Sequence, residues 1–191
     1  LDKLVKTKIY KPLNLKFTTY NPKLNYSKDL IVPSEVDNYF RNTELQGDVH
    51  DMGAAMLGGV GGHAGIFSNA YEVAVIMQMY LQKGVYNNLR FFSNSTFDLF
   101  NKCYYCKNGN RLGVGFDKPQ IDGRGSTCGC VSKESFGHSG FTGTYTWADP
   151  QKEIVFVFLS NRTFPTMENS LLVKHNIRTR MQGLLYDAIE N

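Results

Sequence analysis

The sequence predicts an α+β fold in which helices flank an antiparallel sheet. Two apolar runs, 144–148 and 154–159, are joined by Asp149-Pro150-Gln151-Lys152 and indicate a β-hairpin. The second run is apolar at six successive positions, which is typical of a strand covered on both faces. Helical periodicity before and after the hairpin predicts helices on the two sides of the sheet.

Helical segments follow from apolar spacing and from capping residues. The spacing predicts one helix that begins after Ser68 or Asn69 and ends at Gly84, because glycine is the usual residue beyond a helix end. A shorter helix near 93–95 should bury Phe97 and Phe100, and residues 2–11 resemble the last turns of a helix that stops before Pro12. The predicted inner face of that first helix is Val73, Ile76, Met77, Tyr80 and Leu81.

A final helix is predicted over residues 169–190, lying across the sheet. Residues 18–51 show little periodicity and are expected to run over the surface, and a short strand is expected at 112–116. The predicted inner face of the final helix is Val173, Ile177, Met181, Leu184, Leu185 and Ala188.

Composition narrows the functional classes. The 191 residues are 42% hydrophobic and carry a net charge of +4, with the basic residues scattered along the chain. We therefore expect a soluble globular domain with no nucleic-acid partner. No apolar run reaches the roughly 18 residues of a membrane span, so no membrane span is expected, and nothing indicates a cofactor. The chain begins at Leu1 without a methionine, which we interpret as an excised piece of a longer protein.

Four cysteines fall into two close pairs, Cys103-x2-Cys106 and Cys128-x-Cys130. This spacing permits two disulfides, a four-thiolate zinc site or free thiols. In each case the cysteines would fasten loops and take no part in chemistry.

A glycine-rich turn carrying a histidine lies directly before the hairpin: Gly137-His138-Ser139-Gly140-Phe141-Thr142-Gly143. Small residues at a strand edge let a ligand approach the backbone, whose N–H groups can face a developing oxyanion. His138 can supply a proton or a positive charge. The same letters also suit an ordinary tight turn.

Three stretches together resemble the serine β-lactamase and penicillin-binding-protein superfamily, in its class C and esterase-like branch. "SFGHSGFTGTYTWADPQKEIVFVFLSNR" resembles the third motif and the following hairpin, "YKPLNLKFTTYNP" the "PLGM-x-x-T-x-F" region, and "GGVGGHAGIFSNAYEVAVIMQMYL" the "GG-x-x-S-T-x-x-D-L" helix entry. The resemblance extends from about Tyr10 onward. It is nearest to domains of Bacteroidetes-type bacteria, some fused behind a family 3 β-N-acetylhexosaminidase.

The resemblance implies roles for five residues. His138 would replace the motif's Lys and neutralise a substrate carboxylate or assist proton movement, and Gly140 would be the motif's Gly. The N–H of Phe141 would be one oxyanion donor. Ser139 and Thr142 would contact the substrate, and no metal is implied.

The chain departs from the family pattern at the nucleophile. The family uses a Ser with a Lys three residues later, and no serine here has that spacing. Tyr86-Asn87-Asn88 matches the letters of the family's Tyr-x-Asn motif but follows a helix-ending glycine and is better interpreted as a turn. Tyr26-Ser27-Lys28 lies after the KPLNL stretch and lacks the Asn. We expect the nucleophile helix and the Tyr-x-Asn motif to lie upstream of Leu1, so the isolated chain should be inactive.

The sequence therefore predicts an incomplete β-lactamase/DD-peptidase-like domain, residues 1–191. It comprises a loop-rich segment 1–67, a helical and cysteine-bearing segment 68–134, and the hairpin with the final helix, 135–191. The resemblance implies a serine acyl-enzyme acting on a peptidoglycan-derived peptide, β-lactam or ester outside the cytoplasm. Expected partners are this small-molecule or peptide substrate and the upstream half of the domain, and a sheet edge left open would permit self-association. The alternative is a non-catalytic module that binds cell-wall fragments or packs against the fused glycosidase.

Other readings of single residues are weaker. Gly137-His138-Ser139-Gly140-Phe141 lacks the last glycine of an α/β-hydrolase elbow. His50, Asp51 and His63 could be imagined as metal ligands, but a structural glycine-rich loop is the better interpretation. We expect Asp117 to cap a turn and Trp147 to be a core residue.

Overall fold

The computed structural model describes residues 1–106, 111–120 and 125–190. The chain forms two compact units. The first comprises residues 1–72, 141–144 and 159–171, and the second comprises residues 73–140, 145–158 and 172–191. None of the helices within the described ranges combines the length and apolar character needed to cross a bilayer.

The first unit consists of short elements. Helix α1 is Asp2–Val5 and continues into a π-helical turn, Lys6–Tyr10, which confirms the helix end predicted before Pro12. The remaining elements are β1 (Thr19–Tyr20), β2 (Glu35–Asp37), β3 (Thr43–Leu45), α2 (Met52–Met56) and β4 (Ile66–Phe67). Strand β1 pairs antiparallel with β4, and β2 pairs antiparallel with β3.

Residues 18–51 are more ordered than a surface excursion. They contain β1, β2, β3 and two single 3-10 turns, Pro22–Leu24 and Lys28–Leu30. Strand β2 reverses the usual alternation, because Glu35 and Asp37 are buried and Val36 is exposed. A search for apolar periodicity cannot find a strand whose inward side chains are carboxylates.

Two capped helices follow, of which α3 begins within the first unit and continues into the second. Helix α3 is Ala70–Leu81, and Asn69 caps it by accepting the N–H of Glu72 at 2.9 Å. Gly84 lies just beyond the helix end at a φ of +87°, as predicted. Strands β5 (Val85–Tyr86) and β6 (Leu89–Arg90) then form a hairpin whose two turn residues, Asn87 and Asn88, have positive φ, so Tyr86-Asn87-Asn88 is a turn.

Helix α4 is Asn94–Asn101 and is capped by Ser93, whose hydroxyl accepts the N–H of Thr96. Phe97 is buried in the core as predicted, whereas Phe100 is exposed. An aromatic and aliphatic cluster forms this core, with Phe97 and Phe136 in edge contact at 5.4 Å between ring centroids. Its buried members are Met77, Phe97, Phe136 and Ala148.

One three-stranded antiparallel sheet organises the second unit. Its strands are β7 (Phe136–Ser139), β8 (Tyr145–Asp149) and β9 (Ile154–Phe158), in the order β7-β8-β9. The predicted hairpin is confirmed, but β9 is half-buried along its whole length and pairs only with β8 among the described residues. The expectation that β9 is covered on both faces was wrong, since the central strand is β8.

The region before β7 also differs from expectation. The strand predicted at 112–116 is reduced to an isolated bridge between Leu112 and Asp117. Asp117 is buried and bonded to Arg111, so it is more than a turn cap. Trp147 is a core residue, as expected.

The final helix is interrupted. Helix α5 is Leu171–Lys174 and α6 is Ile177–Glu190, with Asn176 between them at a φ of +52°. Helix α6 packs on β8 through polar groups: Tyr186 donates to Asp149 at 2.9 Å, and Gln182 accepts from Tyr145. The predicted inner face was wrong, because Met181 and Leu184 are exposed where Gln182 and Tyr186 are buried.

We expect Gly137→Ala to lower the free energy of unfolding by about 2 kcal/mol, as overpacking of a core does. A Cβ at Gly137 would overlap the carbonyl oxygen of Thr146 and the ring of Trp147. Urea denaturation measures the change. Gly115→Ala is the matched control, because its Cβ would meet no atom within 4 Å. Equal stability of the two variants would contradict the β7–β8 packing.

Candidate functional site

His138 lies on β7, in the second unit, with its side chain exposed. Its Nδ1 is 2.9 Å from the carbonyl oxygen of Ser139. Because a carbonyl oxygen can only accept, Nδ1 carries the proton, and the neutral ring keeps its lone pair on Nε2. Nε2 makes no hydrogen bond within the described residues. It can therefore accept a proton, or carry positive charge once it has done so.

One edge of β7 faces β8, and the opposite edge carries the backbone N–H and C=O of Gly137. Gly137 and Asp117 exchange two backbone hydrogen bonds on that edge, at 2.8 and 3.2 Å. Because backbone groups alternate along a strand, the N–H of Ser139 points to the same edge. Beyond Gly137, no other strand in the described ranges pairs with this edge. The edge therefore presents the N–H of Ser139 next to His138.

The turn that follows, Phe141–Gly143, belongs to the first unit and is bound through its carbonyl groups. Arg162 donates from Nε to the oxygen of Phe141 and from its backbone N–H to that of Thr142, both at 2.9 Å. The hydroxyl of Ser160 donates to the oxygen of Gly143 at 3.0 Å. By contrast, the N–H of Phe141 has no acceptor among the described residues. The turn is held by its acceptors while one donor is left available.

The ring of Phe141 has two neighbours within the first unit. The guanidinium of Arg162 lies 4.6 Å from the ring centroid, and the imidazole of His50 lies 5.4 Å from it. Phe141 is 61% exposed, and these two contacts with its ring restrain the side chain. Neither His50 nor Arg162 was predicted as a site residue.

Behind His50 is a buried carboxylate, Glu35, which is 1% exposed. His50 Nε2 is 2.9 Å from Glu35 Oε2, and that oxygen also accepts from Tyr39 at 2.8 Å. The contact is close, but its geometry is not that of a hydrogen bond. Burial, followed by the hydrogen bond to Glu35, raises the pKa of Tyr39 to about 12, so its hydroxyl remains a donor.

Asp37 is a second buried carboxylate on β2 and organises the turn 38–42. It accepts the backbone N–H groups of Tyr39, Phe40 and Arg41 and the Nε of Arg41. Burial acts to raise the pKa of Asp37, but these hydrogen bonds outweigh it and lower the pKa to about 2. Arg41 also donates to the carbonyl oxygens of Val49 and His50, at 2.6 and 3.0 Å. Arg41 therefore fixes the backbone of His50, in addition to the contacts that the His50 ring makes with Glu35 and Phe141.

The two stretches that resemble family motifs upstream of the histidine turn, residues 10–22 and 58–81, contact each other. Thr18 donates to Glu72 at 2.6 Å and shares a hydrogen bond with Ser68 at 2.8 Å. Glu72 also accepts the N–H groups of Lys16 and Phe17. Burial acts to raise the pKa of Glu72, but the hydrogen bonds lower it overall. Glu72 thus stays ionised and attaches the start of α3 to the segment before β1.

The remaining candidates have structural roles. Asp51 caps α2 by accepting the N–H of Ala54 at 2.7 Å, and it pairs with His63 at 2.9 Å. His50 turns toward Glu35, and the described residues contain no group of His, Cys, Asp or Glu arranged to hold a metal. Of the alternatives left open for the cysteines, the structure has two disulfides, Cys103–Cys106 and Cys128–Cys130.

The chain belongs to the Beta-lactamase family, whose model matches residues 1–175. Proteins of Salmonella enteritidis PT4 and Salmonella typhi named as D-alanyl-D-alanine carboxypeptidases are both 35% identical over 201 residues. Each match covers 97% of this chain and 45% of the relative, so the chain spans about half the length of the curated relatives it matches.

Solved structures agree on the fold. A β-lactamase from Mycobacterium bovis is 16% identical, with a TM-score of 0.54, and the match covers 92% of this chain and 56% of that one. A penicillin-binding protein homolog from Caulobacter crescentus, also 16% identical, has a TM-score of 0.51 with coverages of 84% and 46%. A simvastatin synthase variant from Aspergillus terreus is 14% identical, with a TM-score of 0.60 and coverages of 100% and 50%.

Acid should selectively weaken the contribution of Asp37 to stability. Its folded pKa of about 2 lies below the ordinary unfolded value of 3.8. The stabilisation is therefore complete above pH 4 and is lost as the pH falls through 2. We expect Asp37→Asn to cost about 3 kcal/mol at pH 7, as loss of a buried charge partner does, and the cost should shrink between pH 4 and 2. Urea denaturation across this pH range tests it.

Asp98→Asn is the control for that experiment, because Asp98 forms an exposed pair with Lys83. Such a pair contributes about 1 kcal/mol or less. A difference between wild type and Asp37→Asn that stays constant from pH 4 to pH 2 would contradict the lowered pKa.

Proposed function

We propose that this chain is the carboxyl-terminal part of a serine hydrolase that works through an acyl-enzyme. The site would combine His138, Ser139 and Gly140 at the end of β7 with the N–H of Phe141 and the side chain of Thr142. The observation that carries the proposal is the hydrogen bonding of the turn, in which the carbonyls are occupied and the Phe141 N–H is left available. Membership of the Beta-lactamase family supports the reaction class.

In this reaction a serine hydroxyl attacks an amide or ester carbonyl, whose oxygen becomes an oxyanion. The Phe141 N–H would donate to that oxygen, at the point where charge develops. His138 would bind a substrate carboxylate as the protonated ring, or accept a proton at Nε2 as the neutral ring. Ser139 and Thr142 would contribute hydroxyl groups to the substrate. The nucleophile and the Tyr-x-Asn motif would come from an upstream segment, so this chain alone would be inactive.

The proposed substrate is a peptidoglycan-derived peptide, with a β-lactam or a simple ester as substitutes. Relatives named as D-alanyl-D-alanine carboxypeptidases support this choice. The location would be extracytoplasmic, where such substrates occur and where disulfides persist. We further propose placement in the class C and esterase-like branch, with a β-N-acetylhexosaminidase fused in the parent protein.

We also propose that residues 1–191 form part of one domain completed by an upstream half. Apolar side chains left exposed on α6, among them Met181 and Leu184, support a packing partner there. Self-association through the open edge of β9 remains a prediction for the isolated chain.

Labelling with a fluorescent penicillin and with a fluorophosphonate tests the proposal. We expect mass spectrometry to find a covalent adduct on the full-length gene product and none on this chain alone. An adduct on residues 1–191 would contradict the upstream nucleophile. Absence of labelling on both proteins would favour the alternative, a non-catalytic module that binds cell-wall fragments or packs against the fused glycosidase.

The role of His138 is tested on the full-length protein. His138→Ala should slow acylation by penicillin by on the order of 10²-fold, the usual contribution of a positioned acid or base. His138→Lys should recover most of that loss if the residue binds the penicillin carboxylate. Reaction with the fluorophosphonate, which lacks a carboxylate, should slow less in His138→Ala. His175→Ala is the control, because His175 is exposed between α5 and α6. Unchanged acylation in His138→Ala would remove His138 from the site.

A further inference from the structure

The proposed oxyanion donor is a backbone N–H on an exposed turn, and such a donor is effective only if its position is fixed. Three hydrogen bonds to carbonyl oxygens restrain residues 141–143. None of them acts on the peptide group that carries the Phe141 N–H. The orientation of that N–H depends on the φ angle of Phe141, and therefore on where its Cα and ring are held.

The ring of Phe141 is held by His50 and Arg162, at 5.4 and 4.6 Å. Arg162 reaches it from the segment after β9, where its Nη1 also donates to the carbonyl oxygens of Met167 and Asn169 at 3.0 and 2.7 Å. Four bonded groups thus fix the guanidinium: the two carbonyls, the oxygen of Phe141 and the ring itself. A side chain with this many partners cannot follow a loop that moves.

The imidazole of His50 is fixed through the buried carboxylate of Glu35. Oε1 of Glu35 accepts the backbone N–H of Met167 at 2.8 Å, while Oε2 contacts His50 and Tyr39. Without His50, Oε2 of Glu35 would keep its hydrogen bond from Tyr39 but lose its contact with the imidazole. Because a buried carboxylate is destabilised when its polar contacts are lost, the contact favours the position of the His50 ring against Phe141.

The restraint from His50 and the restraint from Arg162 depend on the same pair of segments. The segment 161–167 is bonded to residues 33–36 by three further contacts: Asn161 to Pro33 O at 2.9 Å, Thr163 to Ser34 O at 2.6 Å, and Val36 N–H to Pro165 O at 2.9 Å. Strand β2 thus holds both the residue that anchors His50 and the segment that carries Arg162. Movement of one relative to the other would break several buried hydrogen bonds.

We propose that His50, held by Glu35, is a positioning residue that acts with Arg162 through the Phe141 ring to fix the Phe141 N–H for the oxyanion. The inference rests on the proposed function for its catalytic consequence, but the ordering of the N–H is a property of the chain itself. His50 touches neither substrate nor reacting atoms. Its effect reaches the reaction only through the orientation of one backbone donor.

His50→Gln is the decisive variant, because glutamine keeps a polar side chain beside Glu35 but offers no ring to Phe141. In full-length protein labelled with [15N]phenylalanine, the 15N order parameter of the Phe141 N–H should fall from about 0.85, the value of rigid backbone, to below about 0.6, a loss of local order without global unfolding. The Phe141 signal is assigned by its disappearance in Phe141→Leu. Acylation by penicillin should slow by about tenfold through kcat, with KM little changed, as expected for an interaction made in the transition state.

His63→Gln is the matched control, because His63 pairs with Asp51 and contacts neither Glu35 nor Phe141. It should leave both the order parameter of Phe141 and acylation unchanged. If His50→Gln does not fold, Glu35→Gln serves instead, since it replaces the carboxylate that contacts His50 while keeping a hydrogen-bonding group, and it should also lower the order parameter of Phe141.

The two proposals fail in different ways. An unchanged order parameter of the Phe141 N–H and unchanged kcat in a folded His50→Gln protein would overturn the positioning role even if the protein acylates normally. A lower order parameter of Phe141 in a protein that never acylates would keep the ordering role and remove the hydrolase. A loss of acylation accompanied by global destabilisation, with the order parameter of Phe141 unchanged, would also overturn the proposal, because it would make His50 merely structural.

Discussion

The first unit depends on the burial of the Glu35 carboxylate. A charge that is 1% exposed is tolerated only when each oxygen has partners, and here they come from the turn at Tyr39, from His50 and from Met167. These partners lie 4, 15 and 132 residues away in the chain. The carboxylate therefore requires three distant segments to be present together, which is a stronger specification of structure than apolar contact gives.

Apolar packing and buried polar contacts both stabilise the fold, and the difference between them explains which elements could be predicted. In the second unit a core of aromatic and aliphatic side chains produces helical and strand periodicity, so α3, α4 and the β8–β9 hairpin were found from spacing. Where polar groups point inward the same reasoning fails. Glu35 and Asp37 face inward on β2, and Gln182 and Tyr186 face inward on α6, so the strand was missed and the helix was assigned the wrong inner face.

The candidate site also contains residues that the sequence could propose and residues that it could not. The residues 138–142 are contiguous, and a local motif was enough to select them. The residues that hold the turn could not be selected, because Arg162 and His50 reach Phe141 from 21 residues after it and 91 residues before it. The signals present were indirect: an arginine that follows a buried strand, and a histidine directly before a helix-capping aspartate. Neither pattern names its partner, so only the folded chain shows which side chains meet.

A site that uses a backbone N–H as its donor requires something different of the surrounding residues than a site that uses a side chain. Every residue except proline supplies an N–H at position 141, so other substitutions cannot remove the donor and only displacement can. Displacement is resisted here by interactions that lie away from the donor: the contacts and hydrogen bonds of Glu35, Asp37 and Arg41 behind His50, and four partners of Arg162. Fixed dipoles of this kind stabilise a developing charge without reorganising when it appears. The arrangement requires two buried carboxylates, Glu35 and Asp37. It is rigid because opening any part of the cluster would leave one of these charges without its partners.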